Sequence, residues 1–229
     1  MSQYTLTLNI DAQDLKYIKA AQQRITLGKT VGGDQPNVIW LSIDPFQANM
    51  VQWTDDVWIY ASTTQVTSGA SILKLSEVQP GPALDGGYYP FTAAAVFNDF
   101  VSATDVPAGT YAANNDMPAS NYPLLTFGLS QSAQVNAVPV TRKPISARMV
   151  LATQRIFMTP NANVYVWLQS QFASETIITS IVGRHTIARF GGGVNDIALK
   201  YDLARGLFVP DPSASTAQEL VDHVEPLVV

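Results

Sequence analysis

Apolar residues recur at every second position along much of this chain, the spacing of strands that bury one face. Tyr4, Leu6, Leu8 and Ile10 alternate with Thr5, Thr7 and Asn9. Residues 37–43 form a β-branched and aromatic run that stops at Asp44-Pro45. Between Met50 and Val66, Val51, Trp53, Val57, Ile59 and Ala61 share one parity, Trp58 and Tyr60 take the other, and Asp55-Asp56 interrupts the run. Further strands are predicted at 70–75, 123–129, 147–158, 163–169, 176–182, 185–190 and 197–201. Turn residues separate these runs at short intervals, which predicts an all-β fold built as a mostly antiparallel β-sandwich.

Helix signals are few. Asp11 is placed to cap a segment over 12–24, with Leu15, Ile18 and Ile25 on one face and Asp14 in the first turn. Ser213 or Ser215 is placed to cap a second helix over 216–224, stopped at Pro226. The Pro- and Gly-rich stretch 81–144 reads as long loops around a few short strands. Two stretches resemble each other, Pro36-Asn37-Val38-Ile39-Trp40-Leu41 and Pro160-Asn161 to Trp167-Leu168. The expected organisation is therefore one sandwich-like domain over 1–229. Within it, 1–80 and 145–210 are candidate pseudo-repeated halves, and 81–144 is a loop-rich insert. Trp40 and Trp167 are read as core.

Composition narrows the function. Charged residues make up 14% of the 229 positions, well below the usual share of about 25%. Disorder and coiled coil are excluded by the abundance of aromatic and β-branched residues and the scarcity of Glu and Lys. There is no cysteine, which removes disulfides, thiolate chemistry and Cys-based metal centres. The first residues alternate instead of following a signal-peptide layout, so the expectation is a chain made in the cytoplasm, with release by a non-classical route left open.

The net charge of −5 is unevenly spread. Residues 30–141 hold one base, Lys74, against nine acids, whereas 142–205 hold eight bases and three acids. Attraction between these stretches would favour packing within the chain or a homo-oligomer. The bases are not interleaved with stacking aromatics, and nucleic acid is not an expected partner.

Catalytic chemistry is thinly represented. His185 and His223 are the only histidines and have no metal-ligand spacing between them, so neither a metal nor another cofactor is expected. Gly191-Gly192-Gly193 lacks the Lys-Ser/Thr of a phosphate loop, and 192–196 reads as a hairpin turn. No catalytic residue is assigned. What stands out is aromatic rings beside carboxylates and carboxamides. Trp53, Trp58 and Tyr60 lie with Gln52, Asp55 and Asp56, Tyr88 and Tyr89 with Asn98 and Asp99, and a polar tract follows at Asn114, Asn115 and Asp116. Rings that stack on sugar C–H groups, next to groups that bond hydroxyls, suit carbohydrate.

The expected function is therefore non-catalytic recognition of glycans or lipid headgroups at a cell surface, lectin-like, with peripheral membrane contact. Two alternatives fit the same features. One is a membrane-active pore-forming toxin, for which 63–70 and 130–141 are the candidate barrel-lining segments. The other is a metal-independent enzyme with a closed β pocket.

Overall fold

The computed structural model describes residues 2–33, 35–214 and 220–224. Among these the chain forms eighteen strands and one helix. In chain order they are β1 (Gln3–Asn9), α1 (Ala12–Ala20), β2 (Arg24–Val31), β3 (Ile39–Ile43), β4 (Ala48–Thr54) and β5 (Trp58–Ser62). Next come β6 (Lys74–Glu77), β7 (Gly87–Phe91), β8 (Val101–Ser102), β9 (Tyr111–Asn115), β10 (Leu124–Val135) and β11 (Val138–Pro144). The rest are β12 (Arg148–Leu151), β13 (Arg155–Met158), β14 (Pro160–Gln169), β15 (His185–Ala188), β16 (Asp196–Asp202), β17 (Leu207–Pro210) and β18 (Val221–Val224).

Three sheets result. A nine-stranded sheet runs β17-β16-β1-β4-β10-β5-β6, with β11 and β12 also paired to β10. A five-stranded sheet runs β18-β15-β14-β2-β3, and a four-stranded sheet runs β13-β9-β7-β8. The pairings of β1 with β16 and of β7 with β9 are parallel, and the others are antiparallel. The all-β class with a short helix is therefore the observed one.

Alternation explains how the sheets share one core. Leu6 and Leu8 of β1 and Val51 and Trp53 of β4 point inward, where they join Leu27, Trp40, Val164 and Val166 from the five-stranded sheet. Tyr89, Phe91 and Ile156 reach the same core from the four-stranded sheet. The parity of Val51 and Trp53 carries through the Asp55-Asp56 break, because Val57 and Ile59 enter this core as well. Tyr60 points the other way, into a second cluster with Val38, Ile72, Ala147 and Ile177. Its hydroxyl donates to the Ser146 carbonyl at 2.6 Å. Gly128 lies opposite Tyr60 in the register, and a Cβ there would fall 1.9 Å from that same carbonyl. Only glycine lets the two strands and the ring fit together.

Several expectations are corrected. The helix stops at Ala20, and Arg24 and Ile25 begin β2, which has strands on both sides. For β-branched Ile25 and Thr26, two ladders outweigh one more helical turn. The second helix is replaced over Val221–Val224 by β18, which pairs with β15, while 215–219 and 225–229 lie outside the described residues. The stretch 81–144 contains the longest strand, twelve-residue β10, at the centre of the nine-stranded sheet. The predicted strand at 176–182 makes only isolated bridges, Val38–Ile177 and Ser71–Thr176. Gly192 and Gly193 do form a tight turn, closed by the antiparallel Gly191–Val194 bridge, but it leads the chain from one sheet to another and does not join paired strands, because β15 and β16 belong to different sheets. Trp40 and Trp167 are both buried, on the two strands that flank β2. They belong to different hydrophobic clusters. Among the described residues no helix is long and apolar enough to cross a membrane.

Candidate functional site

The nine-stranded sheet opens where β10 passes from β4 to β5. β10 pairs with β4 at Gln134–Gln52 and Val135–Val51, and with β5 from Ser130–Trp58 to Thr126–Ser62. In between, neither strand supplies a ladder partner to the other. The Gln131 carboxamide bridges the gap, its Nε2 donating to the Thr54 carbonyl at 2.7 Å. A bulge between Gln131 and Ala133 shifts the register with β11, and the β10–β11 turn has Asn136 and Ala137 at positive φ.

A cleft of about 490 Å³ lies at this opening. One wall is Gln3, Gln52 and Thr54, with Trp53 at the floor. The other is Ser132, Ala133, Gln134, Pro139, Val140 and Thr141. Gln3, Gln52, Thr54, Ser132 and Gln134 sit on the outward parity of β1, β4 and β10, and Thr141 is exposed on β11. Gln52 has Thr5 on one side and Gln134 on the other, and Gln3 pairs with Thr54. Among these described residues there is no Asp, Glu, Lys, Arg or His. The site is therefore a neutral surface of carboxamides and hydroxyls over an apolar floor. It has no nucleophile–base pair from which acid–base chemistry could be built.

The floor is rigid. Trp53 is 4% exposed. Tyr4 stacks on it at 5.5 Å, and Trp40 and Phe190 meet it edge-on at 5.6 and 4.9 Å between centroids. The Nζ of Lys29 lies 4.9 Å from the Trp53 ring centroid and 5.0 Å from that of Trp40. Lys29 is itself 4% exposed and donates to Gln131 Oε1 at 2.7 Å. Trp40 Nε1 donates to the Gln131 carbonyl at 3.2 Å. Burial pushes the Lys29 ammonium down to about 7, with the Asp55 carboxylate acting in the opposite direction.

The residues singled out in the sequence do not converge. Of the aromatic and acidic residues among them Trp53 alone lines the cleft, and with neighbours packed around its ring it offers an edge rather than a stacking face. Asp55 is exposed in the turn after β4, and Asp56 accepts from Thr54 Oγ1 at 2.9 Å. Trp58 is half-buried beneath the Arg142 guanidinium, 4.7 Å from its centroid. Tyr60 is core. On the four-stranded sheet, Arg155 lies 4.0 Å from the Tyr88 centroid and donates to Asn114 Oδ1 and Asp105 Oδ2, each at 2.7 Å. Tyr89 is buried, its hydroxyl accepting from the Leu84 amide at 3.0 Å. Asn115 is buried and donates to the Val150 carbonyl at 3.0 Å. Asn98, Asp99 and Asp116 are exposed in loops. Gln52, noted in the sequence beside Trp53, also lines the cleft, whereas Gln3, Thr54, Ser132, Gln134 and Thr141 were missed as a binding site. Their signal is the polar parity of β1, β4 and β10, with Thr141 added from β11, and it becomes a site only once those strands are placed side by side.

The uneven charge along the chain is partly neutralised within it. Glu77 meets Lys74 at 2.5 Å and Arg142 at 3.3 Å and accepts from Ser130 Oγ at 2.5 Å. Arg155 pairs with Asp105, and Lys200 with Asp11 at 2.9 Å. The two histidines lie on neighbouring strands, β15 and β18, and burial lowers the pKa of each. Among the described residues no group of three His, Asp or Glu side chains is arranged to hold a metal ion. No protein-family model, curated protein or solved structure matches this chain.

Proposed function

We propose that this is a non-catalytic recognition protein whose cleft between β1–β4 and the β10–β11 hairpin binds a neutral glycan. The supporting observation is the lining, with three glutamine carboxamides and three hydroxyls converging on about 490 Å³ and no ionisable group among them. Carboxamides offer a donor and an acceptor side by side, the complement of vicinal sugar hydroxyls. The volume falls within the roughly 300–1,000 Å³ of small-ligand sites. A phosphate-bearing lipid headgroup calls for a cation, and the lining has none, so of the two ligand classes the glycan is favoured.

The test is a glycan array run beside a leakage assay on phosphatidylcholine and phosphatidylserine vesicles. Binding to uncharged glycans, reduced about tenfold or more in Gln52→Ala and Gln134→Ala variants, is the expected result. Leakage without a glycan signal, or silence in both assays, overturns the reading.

A further inference from the structure

A lysine carried in the run Ile25-Thr26-Leu27-Gly28-Lys29 is forced to place its amine inside, because β2 is buried between β3 and β14. From there Lys29 reaches the cleft by two short routes. Its Nζ faces Trp53, the cleft floor, at 4.9 Å. It also bonds Gln131 Oε1, and the other end of that carboxamide holds the Thr54 carbonyl in the cleft wall, each contact 2.7 Å long. We propose that Lys29 is a pH-sensitive element of the cleft, packed between floor and wall when neutral and loosening them when protonated, because a buried ammonium gains by reaching water. The inference rests on the cleft being the binding site.

The physical basis is the difference between an ammonium and an amine in this box. The ammonium is attracted to both indoles and makes a charge-assisted bond to Gln131. These contacts do not replace the water the ammonium has lost, which is why burial lowers its pKa, whereas the amine keeps two N–H donors, enough for the Gln131 bond, and has no charge to hydrate. Few charges compete for control. Trp40 from β3, Trp53 from β4 and Gln131 from β10 carry none, and β14 sets Val164 opposite Lys29 in register. Asp55 is the carboxylate whose field reaches Lys29, and it favours the ammonium. The phenol of Tyr4, stacked on Trp53, is pushed above its usual range by burial and by Asp55, and so remains neutral. Burial brings the Lys29 proton to about 7, so it leaves within the neutral range.

The experiment needs no ligand. Quenching of tryptophan fluorescence by acrylamide, a neutral amide, is followed in the whole protein from about pH 5.5 to about pH 8.5, spanning the transition on both sides. In parallel the lysine Cε carbons are titrated by NMR. The expected result is a rise in quenching of about twofold as the pH falls through 7 and the relaxed state gains population, absent in Lys29→Met, with one lysine Cε titrating near 7. The same rise in a folded Lys29→Met protein overturns the proposal. So does flat quenching in the wild type, or lysine resonances that all move only above about pH 9.5. If Lys29→Met fails to fold, the wild-type quenching and the Cε titration still decide. Neither measurement depends on whether the cleft binds a glycan.

Discussion

Asn136 holds Met50 from two directions: its backbone N–H donates to the Met50 carbonyl, and its Oδ1 accepts the Met50 N–H, both at 2.8 Å. The pair extends the β4–β10 ladder by one step beyond Val135, the last residue of β10. It thereby ties the β10–β11 hairpin, one wall of the cleft, to the strand that forms the other. Asn136 sits at φ +50°, a conformation in which asparagine is among the better tolerated residues.

Asn136→Ala removes the acceptor and places alanine at positive φ. The expected loss is about 1–2 kcal/mol of stability, with faster hydrogen exchange at the Met50 amide. Asn136→Asp keeps the acceptor and should retain that protection. Unchanged exchange in the alanine variant would show that the tie does not hold the hairpin.

Glu77 anchors β6 to β10 and β11 through Ser130, Lys74 and Arg142. Burial lowers the Lys74 pKa, and Glu77 opposes that shift. Glu77→Gln leaves two cations facing each other in a half-buried site, so unfolding should show a loss of about 2 kcal/mol. Lys74 should become easier to deprotonate. Lys74→Met introduced beside it should recover part of the loss, and a lack of coupling between the two changes in a double-mutant cycle would contradict this picture.

Among the aromatic residues, burial separates structural roles. Trp53→Ala empties a ring space at the centre of the shared core and should lower stability by about 3–5 kcal/mol. Trp58→Ala removes a half-buried ring under Arg142 and should cost about 1 kcal/mol, of the order of a cation–π contact. Chemical denaturation of the two variants gives the comparison directly. Equal losses would mean that Trp58 is packed as tightly as Trp53.

How far the fold could be read from residues depends on the range of the interactions that decide it. The alternation in Val51, Trp53, Val57 and Ile59 is local, and it placed all four in one core across the Asp55-Asp56 break. The start of β2 was not legible in the same way. A capped helix and a strand compete for Arg24 and Ile25, and the choice is made by β3 and β14, the latter more than a hundred residues away in sequence. β18 is a similar case: Val221-Asp222-His223-Val224 has little strand length of its own and is fixed by β15. The cleft was the least legible feature. It exists because β10 changes partners between β4 and β5, and because Gln131 turns inward to fill the gap and meet Lys29. Rings near carboxylates, the cue that suggested a site, led instead to residues whose partners are internal. Tyr88 lies under Arg155, Trp58 under Arg142, and Asn115 is bonded to Val150.

The buried lysine makes a last prediction about stability. Its pKa falls from 10.5 in the unfolded chain to about 7 in the folded one. Below 7 both states carry the proton, and the whole penalty for burying the charge, about 5 kcal/mol, is present. Between 7 and 10.5 the unfolded chain binds the proton and the folded chain does not, so this contribution to stability rises with pH. Above 10.5 both are neutral and the penalty is gone. Lys29→Met removes the charge but leaves Gln131 Oε1 without its donor, a loss of about 1–2 kcal/mol. The variant should therefore be more stable than wild type by about 3 kcal/mol at pH 6, and this advantage should vanish or reverse by about pH 10. Urea unfolding of both proteins at the two pH values makes the comparison. A variant less stable than wild type at pH 6 would mean that the two indoles and Gln131 more than compensate the buried ammonium.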